Sequence, residues 1–217
     1  MKKLSLVILF FYTLLVSFGA MPSPEKIAEL RKAAKLGIMQ DQYSLAHLYS
    51  NGLGVTKDDD KAAKWYRKAA EQGMPEAQHN LANRYRTGKG VDKDVEEAAK
   101  WFQKAAEQGA ALSQADLGVA YEHGNGVEQD YTEAVKWYRK AAEQGVPEAQ
   151  HNLGLMYAQG TGVTKDEVTA YMWFNVSVNN GYTYAKRNLD ILGTMLTSEQ
   201  ITKAQVLSRK WMAQHAK

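Results

Sequence analysis

Apolar residues return along this chain at helical spacing, and the stretches between them are rich in glycine. From Asp60 to Gln72, Ala62, Trp65, Tyr66 and Ala69 fall at i, i+3, i+4 and i+7, while Lys64, Arg67, Lys68 and Glu71 fall opposite. That pattern predicts an amphipathic helix with one buried face. It stops at Gly73, a residue that takes the left-handed conformation of a helix end without a Cβ penalty. A second helix is predicted to start near Pro75, tolerated in a first turn, with Ala77, Leu81 and Tyr85 on its inner side.

The same pair of elements recurs with a period of 36. Trp65, Trp101, Trp137 and Trp173 mark it, as do Gly37, Gly73, Gly109, Gly145 and Gly181. Leu45, Leu81, Leu117, Leu153 and Leu189 continue the series, with Tyr49, Tyr85, Tyr121 and Tyr157. A fixed period in this range signals stacked helix pairs, because a single pair is too thin to bury its own apolar face. Small residues such as Ala69, Ala70, Ala105, Ala106, Ala141 and Ala142 allow paired helices to approach closely. The polar series Asn80, Asp116, Asn152 and Asn188 is expected to hydrogen-bond inside each repeat.

Gly-x-Gly-Val loops join the pairs at 52–55, 88–91, 124–127 and 160–163, each followed by Asp58, Asp94, Asp130 or Asp166. A phosphate-binding loop would leave a strand and open a helix, whereas these leave helices and occur four times. The loop glycines serve turns, and each Asp is an expected N-cap, with Glu97 and Glu133 positioned to complete capping boxes. At the ends, Ile27, Leu30, Ala33 and Ala34 replace the Trp-Tyr helix. Beyond Leu196, Ile201, Ala204, Ser208, Trp211 and His215 share one face of an extra helix expected to seal the core.

The Ala-x-x-x-Leu-Gly-x-x-Tyr-x-x-Gly-x-Gly-Val-x-x-Asp pattern, carried closely by 149–166, resembles the first half of the Sel-one-like repeat, a relative of the tetratricopeptide repeat. Ala134 with Trp137 through Gly145 resembles the second half. The resemblance runs from about residue 25 to the C-terminus. It implies an adaptor that binds a partner protein or peptide, in bacteria often an exported one. Some cysteine-rich secreted relatives have been credited with penicillin binding or β-lactamase activity, so a cell-wall-related hydrolase is the alternative. This chain has no cysteine, and its lone Ser-x-x-Lys, Ser23 to Lys26, lacks the companion motifs and is expected to lie in a mobile tail.

The expected organisation is a signal peptide over 1–20, then five repeats at about 25–55, 56–91, 92–127, 128–163 and 164–195, and a capping helix over 196–217. The expected fold is all-α: a right-handed α-solenoid of 36-residue helix-turn-helix repeats with a C-terminal capping helix. Lys2 and Lys3 precede an apolar run, Leu4 to Phe18, that ends in small residues and is short for a membrane span. Cleavage after Gly19 fits slightly better than after Ala20. Export implies a periplasmic or secreted protein with no stable membrane span left. Losing those two lysines from 27 basic residues leaves 25 against 24 acidic ones, so the mature chain is nearly neutral and a nucleic-acid partner loses its basis. Without cysteine, stability rests on packing.

No catalytic constellation interrupts the repeat, so no enzyme, cofactor or metal site is expected. The five histidines do not form a metal-ligand spacing, and the Asp58, Asp59, Asp60 triplet suits helix capping better than calcium. The residues that repeat in position but vary in type are the expected partner-binding set: Lys64, Arg67, Lys100, Gln103, Lys136, Arg139, Met172 and Asn175. A solvated charged face, with Asp60 and Glu96 four residues before two of the lysines, is the competing reading. A carbohydrate binder using Tyr131, Tyr171 and Tyr182 is a third.

Overall fold

The protein is described by a computed structural model covering residues 22–215; the expected signal peptide lies outside the described residues. The described part is helical, and backbone contacts divide it into two units, one ending at Lys93 and one beginning at Asp94.

The first unit holds α1 (Pro24–Lys35), α2 (Met39–Asn51), α3 (Asp59–Glu71) and α4 (Pro75–Thr87), each packed on the next. Asp58 caps α3 by accepting from the Lys61 backbone N–H at 2.9 Å. Ala62, Ala63, Tyr66, Ala69 and Ala70 form its buried face, on which Trp65 is only half-buried. In the loop after α4 the backbone closes on the start of α3: at Gly90, where φ is +71°, a Cβ would lie 2.0 Å from the Asp59 carbonyl oxygen. Both the left-handed conformation and the approach of the Asp59 backbone therefore demand glycine there.

The second unit holds α5 (Val95–Glu107), α6 (Ala111–His123), α7 (Tyr131–Glu143), α8 (Pro147–Gln159), α9 (Glu167–Asn179), α10 (Ala185–Met195) and α11 (Ser198–Gln214). Asp94, Asp130 and Asp166 cap α5, α7 and α9. The expected Glu97 and Glu133 capping boxes do not form. The Asp130 backbone N–H is taken by the Tyr121 carbonyl at 3.0 Å, and the two glutamates pair instead with Lys100 and Lys136. A full box appears at Thr197 and Gln200, which starts α11. That helix passes over α10 to pack on α9, burying Ala204 and Ser208, as the shared apolar face anticipates.

Buried amides run through both units at the repeat period. Gln42, Gln78, Gln114 and Gln150 each donate from Nε2 to the carbonyl eight residues earlier (Ala34, Ala70, Ala106, Ala142), all at 3.1 Å. The Asn series meets its expectation in part: Asn152 accepts from His151 within its own repeat at 3.3 Å. Asn80 reaches Tyr43 and Asn188 reaches His151, each 37 residues away, so these bonds tie neighbouring repeats rather than closing within one.

Candidate functional site

The expected partner-binding residues lie on the helices that open each repeat. In the first unit α3 exposes Lys64 and Arg67, and the Arg67 guanidinium donates to the Tyr85 hydroxyl at 2.8 Å across the helix pair. In the second unit α5 exposes Lys100 and Gln103, and α7 exposes Lys136 and Arg139. Arg139 repeats the tyrosine contact, reaching the Tyr157 hydroxyl at 2.9 Å. Gln103 donates to Glu107 at 2.9 Å. Lys100 and Lys136 pair with carboxylates three residues earlier, Glu97 and Glu133, not with the residue four back; the Glu133 hydrogen bond raises the Lys136 pKa.

Two of the eight do not share that exposure. Met172 is buried, and half-buried Asn175 donates to the Ser208 hydroxyl of α11 at 2.7 Å. The capping helix lies over the face of α9 that would continue the pattern, a contact between residues 33 apart that a repeat alignment does not reveal.

Sequence reasoning missed a second recurring lysine position. Lys68, Lys104 and Lys140 each place an ammonium over the ring of the tryptophan three residues earlier, at 5.7, 4.0 and 4.0 Å from the centroid. Each pairs a cation with the negative π face. The signal was present as a lysine recurring at the same period as the tryptophan. Also missed was Arg84, buried where the other repeats place Leu48, Ala120, Met156 and Leu192. It donates to Asp59, to the Lys89 carbonyl and to the Ser50 hydroxyl.

The residues singled out for other chemistry have structural partners. Ser23 is not in a tail: its hydroxyl caps α1, and the Lys26 ammonium goes to Glu29 at 3.2 Å rather than to Ser23. His151 accepts at Nε2 from Asn188 at 2.8 Å and faces Asn152 with Nδ1; burial lowers its pKa. Among the described residues no group of three or more His, Cys, Asp or Glu could hold a metal ion, and no helix is long and apolar enough to cross a membrane.

The Sel1 repeat pattern matches residues 40–74, 75–109, 111–146 and 147–182. The structure is similar to that of a protective antigen from uropathogenic Escherichia coli with an SLR fold, at 38% identity and a TM-score of 0.85. That match covers 94% of this chain and 44% of the antigen, so the chain spans less than half of the antigen's length. A Sel1 repeat protein from Oxalobacter formigenes is similar at 34% identity and a TM-score of 0.75, over 94% of this chain and 86% of that one. An immunity protein from Pseudomonas aeruginosa shares the fold at 18% identity and a TM-score of 0.55, over 97% and 83% of the two chains. No curated protein matches significantly.

Proposed function

Because the chain belongs to the Sel1 repeat family, we propose that it is a non-catalytic scaffold of the bacterial cell envelope or exterior, exported by its N-terminal segment, that binds a partner protein or peptide. The observation that carries this reading is the set of exposed polar positions that recurs on the repeat-opening helices of each unit. Lys64, Lys100 and Lys136 stand at equivalent positions, with Arg67, Gln103 and Arg139 one turn on, and all six are exposed. A charge kept at one position of successive repeats, while the buried positions serve packing, suits recognition of an acidic partner surface. The pairing of Lys100 and Lys136 with glutamates does not preclude this, since exposed pairs are weak, screened by salt and exchange readily.

A hydrolase reading has less support. The Ser23 hydroxyl and the Lys26 ammonium are committed to a helix cap and to Glu29.

The test is affinity capture from envelope extract with the chain from residue 21 onward, beside a variant carrying Lys64→Glu, Lys100→Glu and Lys136→Glu. Any captured protein is then purified and titrated directly. A partner that binds the native chain and loses at least about tenfold in affinity for the equally stable variant supports the reading. Equal binding refutes the lysine set, and turnover of a β-lactam or muropeptide by the purified chain refutes the scaffold. Export is checked separately by N-terminal sequencing of the periplasmic form, expected to begin at Ala20 or Met21.

A further inference from the structure

The second unit contains a cleft of about 720 Å³ where the C-terminal ends of α7 and α9 meet the last turns of α11. Its polar lining offers mainly acceptors, which follows from a chain of hydrogen bonds. Gln150 donates its amide to the Ala142 carbonyl, which can only accept, so the Gln150 Oε1 must accept from Asn180 at 2.9 Å. That leaves the Asn180 carbonyl oxygen and one of its two N–H groups for the cleft. By the same logic Gln114 donates to Ala106, and its Oε1 accepts from Gln144 at 2.7 Å. Gln144 also donates to the Gly109 carbonyl at 3.0 Å, so its N–H groups are spent and its carbonyl oxygen is left over. The Asn179 N–H groups go to Asn175.

Beside these three amide oxygens lies exposed Glu143, whose carboxylate has no hydrogen bond or ion pair among the described residues. The ends of α7 and α9 add the negative end of two helix dipoles. Half-buried Trp211 and Met212 supply an apolar wall, and Trp211 is held edge-on against Trp173 at 5.4 Å and stacked on His215 at 4.1 Å. The Trp211 indole adds one ring N–H to the lining, whereas the His215 Nδ1–H is spent on the Trp211 carbonyl at 2.8 Å.

We infer that this cleft receives an arginine side chain from a peptide segment of the partner protein. The inference rests on the scaffold reading and specifies part of the partner's chemistry. A guanidinium carries five donors and no acceptor, matching a lining of carbonyl oxygens and one carboxylate. Its methylene stem packs on the Trp211 and Met212 wall while the charge meets the rim.

The experiment titrates the purified chain with acetyl-Gly-Arg-Gly-amide and with the citrulline analogue, which keeps the shape and loses the charge. The arginine peptide is expected to bind, and the citrulline peptide to bind roughly tenfold or more weakly. Glu143→Gln is expected to weaken the arginine peptide about fivefold without moving the unfolding midpoint, since Glu143 is exposed. Amide NMR signals of Gln144, Asn179 and Asn180 and the Trp211 indole signal should shift on binding. Absence of arginine-peptide binding, equal citrulline binding, or shifts confined elsewhere overturns the site. The Lys64, Lys100 and Lys136 variant should bind the peptide normally. A purified partner held equally by wild type and Glu143→Gln would keep the scaffold and reject this cleft.

Discussion

The Gln150 side chain accepts from Asn180 at 2.9 Å while donating to the Ala142 carbonyl at 3.1 Å, and Gln150 is fully buried. One amide thus satisfies the end of the preceding helix and receives the helix end of the next repeat. Gln150→Ala would take the amide donor from the buried Ala142 carbonyl, which keeps the Gly145 N–H at 3.0 Å, and would leave exposed Asn180 to solvent. Losing a buried hydrogen-bonding group costs about 1–3 kcal/mol, so the variant should lose roughly that much in urea unfolding. Gln103→Ala, at an exposed position, should change stability by less than about 0.5 kcal/mol.

Gly90 and Gly73 both have positive φ, at +71° and +96°, but in different surroundings. A Cβ on Gly73 would meet nothing within 4 Å, so Gly73→Ala should cost only the left-handed penalty of about 1–2 kcal/mol. A Cβ on Gly90 would collide with the Asp59 backbone, so Gly90→Ala should cost roughly twice as much or more. Thermal unfolding of the two variants side by side reads the difference.

Arg84 is buried with a half-exposed partner, Asp59, at 3.2 Å and a guanidinium 5.3 Å from the Tyr66 ring. Removing one partner of a buried pair is costly when the other stays dry, but the Asp59 side chain is 35% exposed and can be solvated. A charge kept buried with poorer hydrogen bonding is costly. Arg84→Met, restoring the kind of residue found at Met156, should change stability by under about 1 kcal/mol, and Arg84→Lys should destabilise by about 2–3 kcal/mol because an ammonium cannot span the same acceptors. Denaturant midpoints decide the order.

Burial lowers the His151 pKa, with the Asn152 hydrogen bond opposing it more weakly. The folded state therefore prefers the neutral ring, and the unfolded chain binds the proton more readily. Stability from this group is complete above the unfolded pKa of about 6.5 and is lost as pH falls through the lowered folded value. A protonated ring would also present a donor at Nε2 to the Asn188 N–H group. Burial lowers the His47 pKa as well, so the melting temperature should fall between about pH 7.5 and pH 5, and His151→Gln should make that fall shallower without abolishing it.

The helix pairs, their period and their caps were legible along the chain because they rest on local physics. The side chain of Asp58 needs only an N–H three residues away. A Trp-Tyr face needs only helical spacing. The expectations that failed reached beyond one repeat. Asn80 and Asn188 were read as bonds within a repeat, yet their partners lie 37 residues away. Glu97 and Glu133 were read as box partners, but a tyrosine carbonyl fills that role at Asp130.

The sequence by itself determined that this is an all-α repeat protein, since spacing, small residues and glycine stops each act over a few residues or recur at a constant interval. Only the tertiary structure decided which polar groups are dry and which surface stays open. Gln150 and Arg84 are buried because distant partners meet their hydrogen bonds, and Met172 and Asn175 are covered because α11 folds back on α9. The cleft beside Trp211 exists only where that return brings the helix beside the ends of α7 and α9. Burial and satisfaction depend on neighbours remote in the chain, and no local spacing specifies them.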